Sequence, residues 1–191
     1  MTSKMARKAE KKPINDLHPT ESRWFAVHTR NKSEKFVKRM LEKKEIIAYL
    51  PLQKIMRQYG RVRRLVDRPL INCYIFVNIT KDKYLTVMET ENVVNFARVG
   101  PNLMAVKEEE IKIIKRVTME DDLDVDVVST TLSEGDPVEI SAGSLFGMKG
   151  KIVKKDGKRK FQVELESLGM SMFITIDGAF LEKMGGVVSP G

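Results

Sequence analysis

Few side chains in this 191-residue chain could perform acid, base or nucleophilic chemistry. It has two histidines, His18 and His28, and a single cysteine, Cys73. His18 falls in a polar, basic N-terminal arm. A Cys–His pair would need Cys73 beside His28, and neither residue carries a local catalytic signature. Asp121, Asp122, Asp124 and Asp126 are spaced like the carboxylates of a metal loop. A calcium loop also needs a glycine at its sixth position and a closing glutamate, and both are missing. No phosphate-cradling loop, zinc-ligand spacing or nucleophile elbow occurs. The reading is a non-enzymatic protein with no metal and no cofactor. One cysteine cannot form an intrachain disulfide, and Cys73 sits in an apolar run, the setting of a small buried hydrophobe.

Charge is the more informative chemistry. The first 70 residues hold 19 Lys and Arg against 7 Asp and Glu, whereas the rest holds 15 against 19. All of the net +8 therefore resides in the first third of the chain. A field concentrated in this way favours a polyanionic partner. No stretch is long and apolar enough to cross a membrane, and the basic start lacks the apolar segment of a secretory signal. A cytoplasmic monomer with no membrane contact is the expectation.

The elements that position these charges follow from periodicity. Residues 1–22 read as a disordered basic arm. Residues 23–119 read as one α/β domain. It begins with the strand Trp24–Thr29 and a helix from Lys32 to Lys44, with Asn31 as N-cap and Glu34 as the capping-box acid. Phe36, Val37, Met40 and Leu41 form the apolar face of that helix, and Lys32, Lys35, Lys38 and Arg39 form the opposite one. A strand over 45–50 comes next, then a hairpin turning at Gly60, whose returning arm carries Arg61, Arg63 and Arg64. Leu70–Ile79 reads as a central strand covered on both faces. A short helix over 81–90, a strand over 93–98 and a helix over 107–119 complete the domain. Residues 120–132 are acidic and read as a linker. Residues 133–184 contain short, alternating strands and the Asp156–Gly157 turn, the pattern of a small barrel. Residues 185–191 read as a loose tail.

Two stretches carry a family resemblance. The first is Trp24-Phe25-Ala26-Val27-His28-Thr29, the basic helix, Pro69 through Val77, and Val94-Asn95-Phe96-Ala97-Arg98-Val99-Gly100. It resembles the N-terminal domain of NusG. The second, Gly135 through Ile140 and Phe146 through Val153, resembles a KOW motif. The resemblance implies an α+β fold: an α/β sandwich domain with an antiparallel sheet, followed by a small SH3-like KOW β-barrel. It implies a transcription elongation and antitermination factor that binds RNA polymerase, suppresses pausing or termination, and recruits a partner.

In that family the residues matching Trp24, His28, Ile71, Tyr74 and Phe76 form or border a patch for the clamp helices of the largest polymerase subunit. Plain core packing is the other reading of Tyr74 and Phe76. Arg30, Lys32, Lys35, Lys38 and Arg39 would face the non-template DNA strand, and Arg61, Arg63 and Arg64 upstream DNA or polymerase. Solvated surface charge is the other reading of these. Phe146 and Gly150 fall where relatives meet Rho factor or a small-subunit ribosomal protein, although Phe146 could also cap the barrel. Ile71-Asn72-Cys73 replaces the family's F-P-G, Tyr84-Leu85-Thr86 does not reproduce the His-Thr-Thr contact to the second-largest subunit, and Gln58–Val66 resembles a short basic hairpin. These departures make the chain similar to the specialised RfaH and UpxY members; a housekeeping NusG is the other reading. An RfaH-like C-terminal region can be a helical hairpin, but the alternation over 161–166 and 172–176 predicts β structure here. The same basic surface also fits an RNA- or ribosome-binding KOW module with no polymerase contact.

Overall fold

A computed structural model describes residues 13–120, 123–128, 135–155 and 158–184. The first domain is built on a four-stranded antiparallel sheet. Its strands are β1 (Arg23–Thr29), β2 (Ile47–Tyr49), β5 (Tyr74–Ile79) and β6 (Val93–Phe96), in the order β2-β5-β1-β6. Strand alternation sends β1 and β5 side chains to two separate cores. Phe25, Val27, Ile75 and Val77 pack with Val37 and Leu41 of helix α1 (Glu34–Lys43) and Val87 of α2 (Tyr84–Met88). Trp24, Ala26 and Phe76 pack on the opposite face with Ile111, Ile114 and Val117 of α3 (Glu108–Met119). Both faces of the central strand are thus covered, but it starts only at Tyr74: Leu70–Cys73, expected to be its first residues, form a turn, and Cys73 is half-buried with a φ of 63° and not a buried strand residue.

The start of α1 differs from the sequence expectation. The helix opens at Glu34, Ser33 stands at the N-cap, and no side-chain cap bond forms. Lys32 adopts a φ of 62°, which takes the chain out of the helical path. Glu34 is buried and its carboxylate accepts the Cys73 N–H at 2.8 Å, so the acid ties α1 to the turn before β5 and closes no capping box. Residues 13–22 also depart from the expected arm. Asp16 N–H donates to the Leu103 carbonyl, the Asp16 carboxylate accepts Ala105 N–H, and Lys81 N–H donates to the His18 carbonyl. Residues 1–12 of that arm lie outside the described residues.

The hairpin forms about Gly60 as expected. Strand β3 (Leu52–Tyr59) pairs with β4 (Val62–Pro69) from Leu52↔Pro69 to Tyr59↔Val62. Gly60 turns it with a φ of 60°, a conformation that favours glycine. This two-stranded ribbon forms its own sheet.

The C-terminal region is β structure, in agreement with its period-two alternation. Strands β8 (Asp136–Ile140), β9 (Lys149–Lys155), β10 (Lys158–Leu165), β11 (Met170–Ile174) and β12 (Leu181–Lys183) form the small barrel. A further strand, β7 (Val125–Val128), lies inside the acidic segment read as linker and pairs with the edge of β11. The full order is β12-β8-β9-β10-β11-β7. Lys160, itself buried, draws β7 in by ion pairs to Asp126 at 3.1 Å and Asp124 at 3.6 Å. The alternating valines and aspartates that look like a solvated tether therefore also fit a strand with one apolar face. The Asp156–Gly157 turn, Asp121 and Asp122 lie outside the described residues.

Gly150 sits within β9, opposite Val138. A Cβ there would stand 2.4 Å from the Gln162 carbonyl oxygen and 2.7 Å from the Phe161 ring. Glycine is required by the close approach of two strands. We expect Gly150→Ala to destabilise the barrel by about 1–3 kcal/mol, the usual range for overpacking. Thermal unfolding of the full chain measures it, and an unchanged Tm would show that the strands can part at no cost.

Candidate interaction surfaces

The first candidate surface is the sheet face bearing the aromatic residues. His28 and Tyr74 are a cross-strand pair whose rings meet edge to face at 5.2 Å. Both are half-buried. Trp24, Ile71 and Phe76 are buried, and Phe76 is 0% exposed. Helix α3 roofs this face. The Lys115 ammonium lies 5.5 Å from the Trp24 and Tyr49 ring centres, a cation–π arrangement. The Tyr49 hydroxyl bonds Thr118 at 3.0 Å, and burial pushes the phenol pKa up. The structure thus brings Trp24, His28, Ile71, Tyr74 and Phe76 to one sheet face and its rim, but covers most of it. Phe76→Ala would remove core packing worth about 3–5 kcal/mol, so only Tyr74 can report on surface binding without confounding stability.

The barrel completes the cover. Buried apolar side chains of the sheet face, α3 and the barrel form one contiguous cluster. A cleft of about 260 Å³ beside it is lined by Gln53, Ile71 and Tyr74 on one side and Val125, Val127 and Met170 on the other. Polar contacts frame the junction. The Arg116 guanidinium donates to the Ser144 and Phe146 carbonyls at 2.8 and 2.6 Å. Lys107 pairs with Glu166 at 2.5 Å, and Ser167 N–H donates to the Glu110 carboxylate at 3.1 Å. Gln53 also donates to the Leu123 carbonyl. The Phe146 ring is 63% exposed, whereas Leu145 and Met148 fill the barrel core below it. Gly150 has no side chain to offer, and the space a Cβ would need is occupied by other strands.

The second surface is basic. Arg30, Lys32, Lys35 and Arg39 are exposed around the start of α1, as are Arg61, Arg63 and Arg64 on the ribbon. Lys38 is held by Glu42 at 2.6 Å and Lys35 lies 3.8 Å from Asp67, contacts that contribute little at an exposed surface. A groove of about 520 Å³ runs between α1 and the ribbon. Lys32 and Lys35 line one wall, with Arg57, Tyr59 and Arg68 on the other. Sequence reasoning missed these last three residues. The signal was available: with the turn at Gly60, the pairs Arg57↔Arg64 and Tyr59↔Val62 put an arginine row and an exposed tyrosine on one ribbon face. Elsewhere, Leu85 is exposed and lines an apolar cleft of about 630 Å³ with Leu17, Tyr84 and Leu103.

Burial, and secondarily the Glu34 charge, push the Cys73 thiol pKa up, the opposite of what a nucleophile needs. Among the described residues no group of three or more His, Cys, Asp or Glu side chains could hold a metal ion. No helix among them is long and apolar enough to cross a membrane.

An antiparallel sheet with helices on both faces, a projecting basic ribbon and a C-terminal β-rich region together define an α+β protein with a NusG-like fold. Residues 22–115 match the family described as NusG, transcription termination factor nusG. A structure of Thermotoga maritima NusG concerned with domain interaction aligns at a TM-score of 0.54 and 21% identity. It covers 87% of this chain and 99% of its own, a likeness that establishes the shared fold. Two conformations of the MjSpt4:Spt5 complex align over 84% of this chain at 17% and 18% identity. They cover 97% and 95% of their own chains, at TM-scores of 0.30 and 0.31, too low to compare overall arrangements. No curated protein matches.

Arg116 makes the most direct polar bond between the two domains. Arg116→Ala should raise the fraction of molecules with a free barrel about tenfold, for a loss near 1.4 kcal/mol. Backbone ¹⁵N relaxation of the full chain reads this as faster tumbling of barrel amides. Unchanged joint tumbling would mean that apolar contact alone holds the barrel.

Proposed function

We propose that this chain is a non-enzymatic transcription elongation and antitermination factor that binds RNA polymerase through the sheet face of Trp24, His28, Ile71, Tyr74 and Phe76. The observation that carries the reading is the aromatic sheet face shared with the barrel in one apolar cluster. A rigid apolar face on a sheet is the kind of anchor that accepts a helical partner. The clamp helices of the largest subunit are that partner. Barrel and α3 cover the face here, so engagement follows release of the barrel. The freed barrel then recruits a second protein, Rho factor or a small-subunit ribosomal protein, and Phe146 offers an aromatic contact even before release.

The groove between α1 and the ribbon contributes a nucleic-acid contact. Lys32, Lys35, Arg57 and Arg68 bind phosphate without reading sequence, and Tyr59, 55% exposed, can stack on an unpaired base of the non-template strand. The groove is open while the aromatic face is covered. That observation favours a second reading, an RNA- or ribosome-binding module with no polymerase contact.

Salt dependence separates the two. Phosphate contacts weaken steeply as salt rises, and an apolar anchor does not. Co-purification with core RNA polymerase at moderate and high salt should show binding that survives high salt, weakens at least tenfold in Tyr74→Ala, and strengthens in Arg116→Ala. Failure to bind polymerase at either salt, even with Arg116→Ala, would leave the nucleic-acid module as the function. Separately, Arg57→Ala with Arg68→Ala should weaken binding of a labelled single-stranded oligonucleotide and lower the salt slope by about 1–2. An unchanged slope would remove the groove from the interface.

A further inference from the structure

The junction between α3 and the barrel contains a titratable group that nothing above uses. Glu110 lies in the first turn of α3 and is 5% exposed. One carboxylate oxygen accepts the Ser167 N–H at 3.1 Å. The other, Oε2, is buried and has no hydrogen-bond partner among the described residues. Ser167 is itself buried and belongs to the 3-10 turn Glu166–Leu168, which joins β10 to β11. Glu110 therefore owes its Ser167 bond and part of its burial to the docked barrel. An ionised carboxylate buried with one oxygen unsatisfied is costly, whereas a protonated carboxyl loses most of that penalty.

We propose that Glu110 is a proton-operated latch: the barrel docks on α3 with a proton on the Glu110 carboxyl, and ionisation, with the proton passing to solvent, favours its release. The facing charges fit this assignment. At the N-cap of its own helix Glu110 has Lys107; on the barrel it has Glu166. Lys107 is drawn to Glu166 at 2.5 Å, which leaves Glu110 without a dedicated cation. Burial is the largest influence and raises the Glu110 pKa; the Ser167 bonds and Lys107 oppose it, and Glu166 adds to it.

The sign follows from linkage. A carboxyl whose pKa is higher docked than released binds its proton more tightly in the docked state. Its contribution to docking is complete below the ordinary glutamate value and is lost as pH rises through the raised value. Within that window the docking constant falls by up to about tenfold per pH unit. Glu166 works in the other direction and lower in pH. Its pKa is lowered by Lys107, so acidification through that lowered value weakens the Lys107 contact. The two carboxyls confine the tightest docking to a mildly acidic range.

The regulatory meaning rests on the reading that barrel release uncovers a polymerase face, but the latch itself is measurable without polymerase. The experiment follows the Glu110 side-chain ¹³C carboxyl shift against pH in the intact chain and in an Arg116→Ala, Lys107→Ala variant that frees the barrel. Barrel tumbling is recorded in parallel by ¹⁵N relaxation. We expect Glu110 to titrate above the ordinary glutamate range in the intact chain and to return toward it in the freed variant. Glu110→Gln should keep the barrel docked where the wild type begins to release it, and remove the pH response in that window. Equal titration in the intact and freed chains, or a Glu110→Gln chain that releases its barrel as wild type does, would overturn the latch. Loss of polymerase binding in the assay above would leave the latch untouched and remove only its consequence.

Discussion

Helix α3 has to satisfy two surfaces at once, and the arrangement of the whole chain depends on how it does so. Ile111, Ile114 and Val117 form an apolar stripe broad enough to touch the sheet and the barrel together. Thr118 and Lys115 reach Tyr49 and Trp24 on the sheet side. Glu110 and Arg116, displaced around the helix, reach the barrel. A helix with a narrower stripe would bury one neighbour and leave the other free. Here the first domain and the barrel share a single apolar cluster, so the resting state of the protein is closed.

Closure has different consequences for the two candidate surfaces. The aromatic sheet face is apolar, and burying it is favourable whatever covers it, so the barrel competes with any outside partner for the same area. The basic groove cannot be handled in that way. Its lysines and arginines would be expensive to bury without partners, so it stays open to solvent and available in the closed state. One chain thus combines an apolar surface that is covered with a basic surface that is open. The polar contacts around α3 add little burial of their own. They set the orientation of the barrel and make the balance between closed and open sensitive to charge at the junction.

How much of this the sequence revealed varies element by element. The core of the central strand was legible because Tyr74–Val77 is apolar and rich in branched and aromatic residues, but its start was not, since Leu70–Cys73 share that character and form a turn. The β character of the C-terminal region was legible from alternation at Phe161–Glu166. The ribbon was recognisable from Gly60 and the runs on either side of it, but its place beside α1 was not, because Arg57, Tyr59 and Arg68 become neighbours of α1 only in the packed chain. Strand β7 was read as linker because Val125-Asp126-Val127 is half acidic. Its pairing depends on Lys160, 34 residues away, and on an open edge of β11. Glu34 looked like a capping acid and instead holds the Cys73 N–H, because the positive φ of Lys32 redirects the chain before the helix begins.

The sequence by itself determined the local periodicities, the concentration of positive charge in the first third, and the first-domain motifs that resemble the NusG family. Those are properties of neighbouring residues, written at spacings of two to four. Tertiary structure decided which aromatic residues are exposed, which arginines share a groove with α1, and that Glu110 is buried at a junction and not solvated at a helix start. Each of these depends on pairs of residues tens of positions apart. Only the packed chain brings them within hydrogen-bond or van der Waals distance, and local sequence patterns do not record such contacts.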